Sequence, residues 1–410
     1  MTKLASNNSR ILIGTIIGIL IGLWFSTHGN ESTTHFGLLV FGLVSSTFID
    51  LLKMVLIPLV FSSIVVGIAN LGKHQQMHKV WKITLFYSFF TMALSVAVGI
   101  SASNLFSPGK GLTLKMFETT ISSYDTLHIS GAEFLSKFLH HLFVNPFQAM
   151  AAGNVMAVVA SAIILGIAFI NSDNQYYGLR QLMQNLFDLS LQVVDWIMLI
   201  APIGIMALIA KLIATQSGVL LSALTKFVLI IFGTTIFHGV VVLPILLFIV
   251  TGMSPLRFFR GAKEALITAF ATSSSSATMP VTFRCIENNF NVSPSISGFV
   301  IPLGAHLNMD GTALYEAAAA LFIANLAGID LNIGQQILVC LTAMIASVGA
   351  PGIPSAGMVT MIMVLQSVGL PIEAVALLIP IDRPLDTIRT LVNVEGDMVG
   401  CLIVQKIVGS

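Results

Sequence analysis

The chain is a succession of apolar runs with almost no charge inside them, and this limits what it can fold into. The runs cover about 11–28, 37–71, 80–106, 146–171, 184–214, 220–252, 296–327, 334–348, 357–367 and 371–408. A helix needs about 20 apolar residues to cross a bilayer. Runs as long as 37–71 imply strongly tilted helices, and short ones such as 334–348 and 357–367 suggest segments that enter and leave by the same side. Of 410 residues only 9% are charged, with a mean hydropathy of +0.93, whereas a soluble domain carries about 25%. The chain therefore reads as a polytopic integral membrane protein. A net charge of +1 gives no case for nucleic acid. Cys285, Cys340 and Cys401 are scattered, make no metal spacing and read as core fillers. The run 11–25 follows Lys3 and Arg10 without a small-x-small cleavage site, so it reads as the first span rather than a signal peptide.

Basic residues orient the chain. Lys3 and Arg10, then Lys73, Lys79 and Lys82, then Arg257, Arg260 and Lys263 flank apolar runs and are expected on the cytoplasmic side. The segment 107–145 is then outside, as a mobile linker. Nothing before residue 255 is polar enough in mid-span to suggest a solute site, so the chemistry is expected after it.

Four features lie there. The first is a stripe in the last run: Asp382, Asp386, Arg389, Thr390, Asn393 and Asp397. At 100° per residue all six fall within an arc of roughly 100°. Charge at bilayer depth is costly and marks a solute or ion path. Arg389 is the only strong cation of the stripe, and a buried guanidinium favours a carboxylate. The second feature is the hydroxyl-rich stretch 271–280, ending in Pro280, between apolar arms at 262–271 and about 281–289. It reads as a helical hairpin with a polar tip, because irregular backbone at membrane depth is tolerated only when buried or lining a cavity. The third is Gly304 to Thr312, where Asn308, Met309 and Asp310 sit between glycines inside an apolar run. Unwinding there would free carbonyl oxygens beside a carboxylate, a set that suits a small hard cation. The fourth is 347–357, with glycines and prolines between apolar arms, which reads as a second hairpin and a candidate gate. Each has a plainer alternative: a polar face at a helix end, an internal ion pair, a serine-rich loop, a structural kink, a simple turn. Two interrupted hairpins, each followed by a polar-interrupted helix, form a weak internal repeat of the kind that points to a transporter's mid-membrane site.

These residues resemble the glutamate transporter family, the dicarboxylate/amino acid:cation symporters, over almost the whole chain. The resemblance is carried by Leu51-Leu52-Lys53-Met54 with Pro58, Ala201-Pro202-Ile203-Gly204, the serine-rich tip, Asn308-Met309-Asp310-Gly311-Thr312, and Arg389-Thr390 with Asn393-Val394 and Gly396-Asp397. It implies an all-α membrane protein with eight transmembrane helices and two re-entrant hairpins, working as a homotrimer in the lipid bilayer. Scaffold helices would occupy 1–72 and 146–215, with the extracellular linker 107–145 between. An elevator-like transport unit would comprise 73–106 and 216–410, the latter holding a sixth helix, the hairpin 255–291, a seventh helix with 308–312, the hairpin 333–370 and the eighth helix. Both termini would be cytoplasmic, in a plasma membrane, bacterial inner membrane for a bacterial source.

The resemblance also implies a transporter rather than an enzyme, with no cofactor, taking up L-aspartate or L-glutamate with sodium and, as a further candidate, protons. C4-dicarboxylate symport and substrate-gated anion conductance are the alternatives. Arg389 and Thr312 would bind the side-chain carboxylate, and Asp386 the amino group. Thr390, Asn393, Ser275 and Gly352 would hold the remaining groups of the amino acid. Sodium would be held by Gly304, Asn308, Asn393 and Asp397; by Thr91, Asn308 and Asp310; and by Met309 with the backbone of Ser347, Val348 and Ala350. Glu316 is a candidate proton carrier, since a carboxyl buried away from water can hold a proton at neutral pH; its plainer role is pairing with Arg383 or another internal donor. This chain departs from the family pattern at His306, Ser88, Met92, Ser273 and Thr387, with Arg383 one turn earlier as a substitute cation. Glu395 points away from the stripe without an evident role. An intramembrane hydrolase is disfavoured, because only His306 offers a base for a serine at 273–276.

Overall fold

The computed structural model describes residues 2–28, 31–71, 78–112, 143–170, 172, 175–215, 218–349 and 356–409. All regular elements among them are helical. The expected linker 107–145 and the tip of the second hairpin, with Ala350 and Gly352, fall largely or wholly outside the described residues.

Three long helices open the chain: α1 (Thr2–His28), α2 (Glu31–Leu71) and α3 (His78–Phe106). Next come α4 (Pro146–Ala151), α5 (Val155–Ile170) and α6 (Tyr177–Thr215). A 41-residue helix such as α2 is about 60 Å long, twice the bilayer core. The apolar run 37–71 is thus one continuous helix that begins earlier than hydropathy suggests. Among the described residues, two helices, 79–106 and 220–251, are by themselves long and apolar enough to cross a membrane. In α6 the segments Tyr177–Val194 and Leu199–Lys211 make a third candidate span, bent by 54°. Pro202 lies in α6 and cannot donate to the carbonyl four residues back, which accounts for a break there.

α1 and α2 pack on α6, and α2 also packs on α5. Gly14, Gly18 and Gly22 of α1 face the carbonyls of Pro202, Met206 and Ala210, where an added Cβ would come within 2.5, 2.6 and 2.9 Å. Between lipid-bathed helices there is little hydrophobic drive, and small residues that permit backbone contact supply van der Waals attraction instead.

The second half begins with α7 (Gly218–Phe237), runs through a π-helical turn (His238–Val242) and continues as α8 (Leu243–Thr251). The first hairpin is α9 (Pro255–Thr272) and α10 (Ser275–Phe290). Its arms are longer than the apolar pattern indicated, because caps rather than hydrophobicity end them. Ser254 caps α9 by accepting from the Arg257 amide, with Pro255 at the first position. The tip is two residues long. Ser273 takes the left-handed conformation at φ 50°, and the Ser274 hydroxyl accepts from the Ala277 amide to start α10. Thr272 and Thr278 share a hydrogen bond of 3.1 Å across the turn. Thr272, Ser274 and Thr278 thus satisfy much of the buried tip from within, while the buried Ser273 hydroxyl has no partner among the described residues.

α11 (Pro294–Leu307) and α12 (Asp310–Leu326) are one interrupted helix, broken at Asn308 and Met309. Then come α13 (Ile333–Gly349), α14 (Ala356–Ser367), a 3-10 turn (Ile372–Ala374) and α15 (Val375–Val408). α13 and α14 pack on each other. α3 packs on α12 and α15 rather than on α1 or α2, and the Tyr87 hydroxyl donates to the Gly396 carbonyl of α15 at 2.9 Å.

Burial inverts the pattern of a soluble protein. Asp310, Glu316, Asp382, Arg389, Glu395 and Asp397 are buried, whereas Phe86 is 73% and Ile249 72% exposed. Large apolar side chains outside and charges inside suit a chain whose surroundings are hydrocarbon.

Candidate functional site

The six polar residues of the α15 stripe are all buried. The helix turns them toward α12 and the hairpins, so the 100° arc seen in the sequence becomes the wall of an internal polar region. Arg389 is its centre. Nη2 donates to Asp382 Oδ1 at 2.7 Å and to Asp386 Oδ1 at 2.8 Å. Its carbon Cζ lies 4.0 Å from the centre of the Tyr315 ring, a cation–π contact that holds the guanidinium plane. Among the described residues, Nε and Nη1 have no hydrogen-bond partner. A Cβ on Gly357, at the start of α14, would lie 3.5 Å from Nη1. The uncommitted edge of the guanidinium therefore faces the N-terminal turn of the second hairpin's returning arm.

Arg383 is buried beside the same acids, with Nη1 3.6 Å from Asp386 Oδ2. The simple Arg389–Asp386 pair read from the sequence is really a four-residue cluster that includes Asp382 and Arg383. Glu316 does not pair with Arg383. Its Oε1 accepts from the Thr360 hydroxyl of α14, and Oε2 is buried without a partner among the described residues.

The break between α11 and α12 supplies the next layer. Asn393 Oδ1 accepts from the Gly311 amide at 2.8 Å, and Nδ2 donates to Thr312 Oγ1 at 3.2 Å and approaches Met309 Sδ at 3.6 Å. Asn393 thereby fastens α15 to the first turn of α12. Thr312 and Met309 also meet, at 3.9 Å. Thr390 is buried next to this cluster on α15.

Below it lies a second, different cluster. Thr91 Oγ1 is 3.1 Å from Asn308 Oδ1, 3.1 Å from Asp310 Oδ1, 3.2 Å from the Tyr87 carbonyl and 3.2 Å from the Ser88 carbonyl. Two of these, the carbonyls, belong to the α3 ladder and are the usual partners of a helical threonine; the other two are side-chain oxygens that compete for its one proton. Such an excess of oxygens over protons is what a small hard cation satisfies. The Asn308 amide nitrogen turns the other way, 3.4 Å from Asp397 Oδ1. Asp397 presses on Gly304: a Cβ there would lie 2.2 Å from Oδ1, so only glycine lets the carboxylate reach this depth. Gly304 itself stays helical, its carbonyl accepting from the Asn308 amide at 2.8 Å. The unwinding is therefore shorter than the two flanking glycines suggest, confined to Asn308 and Met309.

The first hairpin brings buried Ser275 to the start of α10. Ser347, at the end of α13, donates to Met92 Sδ at 3.5 Å. Met92 thus occupies its place in α3 as a partner of the second hairpin.

The site's composition agrees with what the whole chain matches. Residues 8–407 fit the model of the sodium:dicarboxylate symporter family. The chain belongs to that family. Its relatives include human excitatory amino acid transporter 3, 33% identical over 98% of this chain and 86% of the relative. Excitatory amino acid transporter 1 of Ambystoma tigrinum is 35% identical over 96% of this chain and 82% of the relative. The proton/sodium-glutamate symport protein of Geobacillus stearothermophilus is 33% identical over 97% and 93%.

One part of this family member was only half visible in its sequence. Apart from Thr91, which the resemblance supplied, the chemistry was expected after residue 255, yet two elements before it reach the Asn308–Asp310 cluster. Thr91 and the Tyr87 and Ser88 carbonyls of α3 line the cation-like cluster, and His238 enters it from the π-helical turn. His238 lies in the middle of an apolar span, and only its unusual depth could have flagged it. Glu395 lacked a role in sequence because it faces away from the stripe. It packs instead against the same π turn, where a Cβ on Gly239 would lie 2.9 Å from Oε2.

Proposed function

We propose that the protein is a secondary active symporter that couples the uptake of an acidic amino acid, L-aspartate or L-glutamate, to sodium. The observation that carries this reading is the pairing of two unlike clusters on one helix. Arg389 has buried donors to spare, and the Thr91–Asn308–Asp310 cluster has buried acceptors to spare. The printed activities of relatives matched over nearly the whole chain support the same substrate class and ion.

The mechanism follows from charge. An acidic amino acid is a net anion, and the acids around its site outnumber the arginines. Arg389 Nη1 and Thr312 would take the side-chain carboxylate. Asp386, already shared by two arginines, would turn part of its acceptor capacity to the amino group. Thr390, Asn393, Ser275 and the second hairpin at Gly352 would hold the rest. Sodium ions at Thr91, Asn308 and Asp310, at Gly304, Asn308, Asn393 and Asp397, and at Met309 with the carbonyls of Ser347, Val348 and Ala350 would offset the acids. Moving the load without them would cost several kcal/mol or more, since isolated charge in a low-dielectric slab is expensive. Coupling arises because only the filled site approaches neutrality.

In the same reading the molecule is a homotrimer in the plasma membrane with both termini cytoplasmic. It would have eight membrane helices and two re-entrant hairpins. Residues 1–72 and 146–215 form the scaffold, and 73–106 with 216–410 move. The packing of α1 and α2 on α5 and α6, and of α3 on α12 and α15, supports this division. Glu316, with one oxygen bonded and one not, supports a proton as an additional passenger.

Uptake into proteoliposomes under imposed sodium or proton gradients tests the proposal, comparing L-aspartate, L-glutamate and succinate. Concentrative, sodium-driven accumulation of an acidic amino acid is the expected result. Flux that only dissipates gradients would mean a channel, and preference for succinate would mean a dicarboxylate carrier; either would overturn it.

A further inference from the structure

The π-helical turn at His238–Val242 sits in the apolar span 220–251, and it carries an imidazole that reaches the acidic interior. His238 Nε2 lies 3.0 Å from Asp310 Oδ2, and both side chains are fully buried. A carboxylate oxygen only accepts, so Nε2 carries the hydrogen. Nδ1 has no partner among the described residues, so Asp310 is the hydrogen-bond partner they offer the ring. The extra residue of a π turn re-aims a side chain within an otherwise regular helix, a device frequent at functional sites. Here the turn is held on its other side by Glu395 of α15. Gly239 offers no Cβ to that carboxylate, and an added one would lie 2.9 Å from Oε2.

Asp310 is thereby divided between two tasks. Oδ2 is tied by His238. Oδ1 is left toward Thr91 Oγ1 at 3.1 Å and, through it, the Asn308 oxygen. The Asp310 backbone is fixed independently, with its carbonyl accepting from Ser95. Among the described residues, the hydrogen bond to the side chain from outside the oxygen cluster is the imidazole's.

We infer that His238 is a positioning residue for sodium: its Nε2–H clamps one oxygen of Asp310 so that the other is presented to the ion held with Thr91 and Asn308. The inference rests on the sodium-coupled reading above. It asks nothing of His238 toward the amino acid. Ion and substrate dependence should therefore separate.

The test uses the full-length protein in three forms: wild type, His238→Ala and His238→Gln. Two measurements are made on each. One is uptake as a function of sodium and, separately, of substrate at saturating sodium. The other is the rise in melting temperature with added sodium chloride against choline chloride, which reports ion binding without transport. Loss of one charge-assisted hydrogen bond predicts a roughly tenfold rise in half-saturating sodium for His238→Ala in both measurements. Half-saturating substrate at saturating sodium should stay within about twofold of wild type. Glutamine, which keeps a donor at similar reach, should recover most of the sodium affinity. Parallel shifts in sodium and substrate dependence, an unchanged sodium dependence in His238→Ala, or no recovery by glutamine would each overturn the inference. If wild type itself shows no sodium response in either measurement, the sodium-coupled reading fails first.

Discussion

The arginine cluster and the Thr91–Asp310 cluster lie on either side of Asn393, yet their hydrogen-bond inventories are opposite. Around Arg389 there are donors without acceptors: Nε and Nη1 are buried and unbonded among the described residues. Around Thr91 side-chain acceptors outnumber the donor, two oxygens for one hydroxyl proton. The first invites an anion and the second a cation, and the cost of leaving either unsatisfied is the desolvation already incurred. On the proposed function, this asymmetry would suffice for coupling, each ligand offsetting the charge that makes the other costly to bind.

The harshest way to break the comparison is to abolish the donor excess. Arg389→Thr should lower acidic amino acid uptake by roughly 100-fold or more, because the guanidinium with uncommitted donors is then gone and Arg383, which lies beside Asp386, is left to face both the acids and the substrate. Neutral amino acids should become better competitors than aspartate, read by inhibition of residual uptake. Unchanged aspartate uptake would remove Arg389 from the site. Next comes the acceptor side. Asp310→Asn keeps the shape and removes the charge, so half-saturating sodium should rise on the order of 30-fold or sodium dependence should vanish. Retained sodium affinity would mean that the oxygen crowd holds no ion.

A smaller effect tests depth rather than charge. Gly304→Ala would place a Cβ 2.2 Å from Asp397 Oδ1. Overpacking of this kind costs about 1–3 kcal/mol, so a several-fold loss of sodium affinity together with a lowered melting temperature is expected. An unaffected melting temperature would show that Asp397 moves aside freely. The smallest effect belongs outside both clusters. Arg284 and Glu264 pair on the surface of the first hairpin, with side chains 60% and 65% exposed. Exposed pairs contribute at most about 1 kcal/mol, so Arg284→Gln should leave uptake and melting temperature within error. A large loss there would extend the electrostatic site beyond the two clusters.

Much of this was legible in the chain. Hydroxyls followed by Pro280 announced a capped hairpin, and Asn308 to Gly311 announced a broken helix, because both patterns conflict locally with a continuous apolar helix. The burial of the α15 stripe followed from charge at helical spacing in hydrocarbon. Helix limits were less legible: α2 and the arms of the first hairpin run past their apolar stretches, since caps and neighbours rather than hydropathy end them. Asp382 and Arg383 were visible as charges, but their joining Arg389 and Asp386 in one cluster was not. Neither was the π turn, because nothing in a run of valines and leucines marks an extra residue in a turn.

What the sequence determined alone is the set of local conflicts: where a helix must break, where charge must turn inward, and hence which segments face one another across a polar interior. Those depend on backbone chemistry and on the cost of charge in lipid, both readable residue by residue. Only the tertiary structure decided which donors and acceptors stay unpaired once the helices pack. That surplus depends on distances of about 3 Å between residues as far apart as Thr91 and Asp310, or His238 and Asp310. No local pattern encodes such distances, because they are set by how whole helices lean on one another.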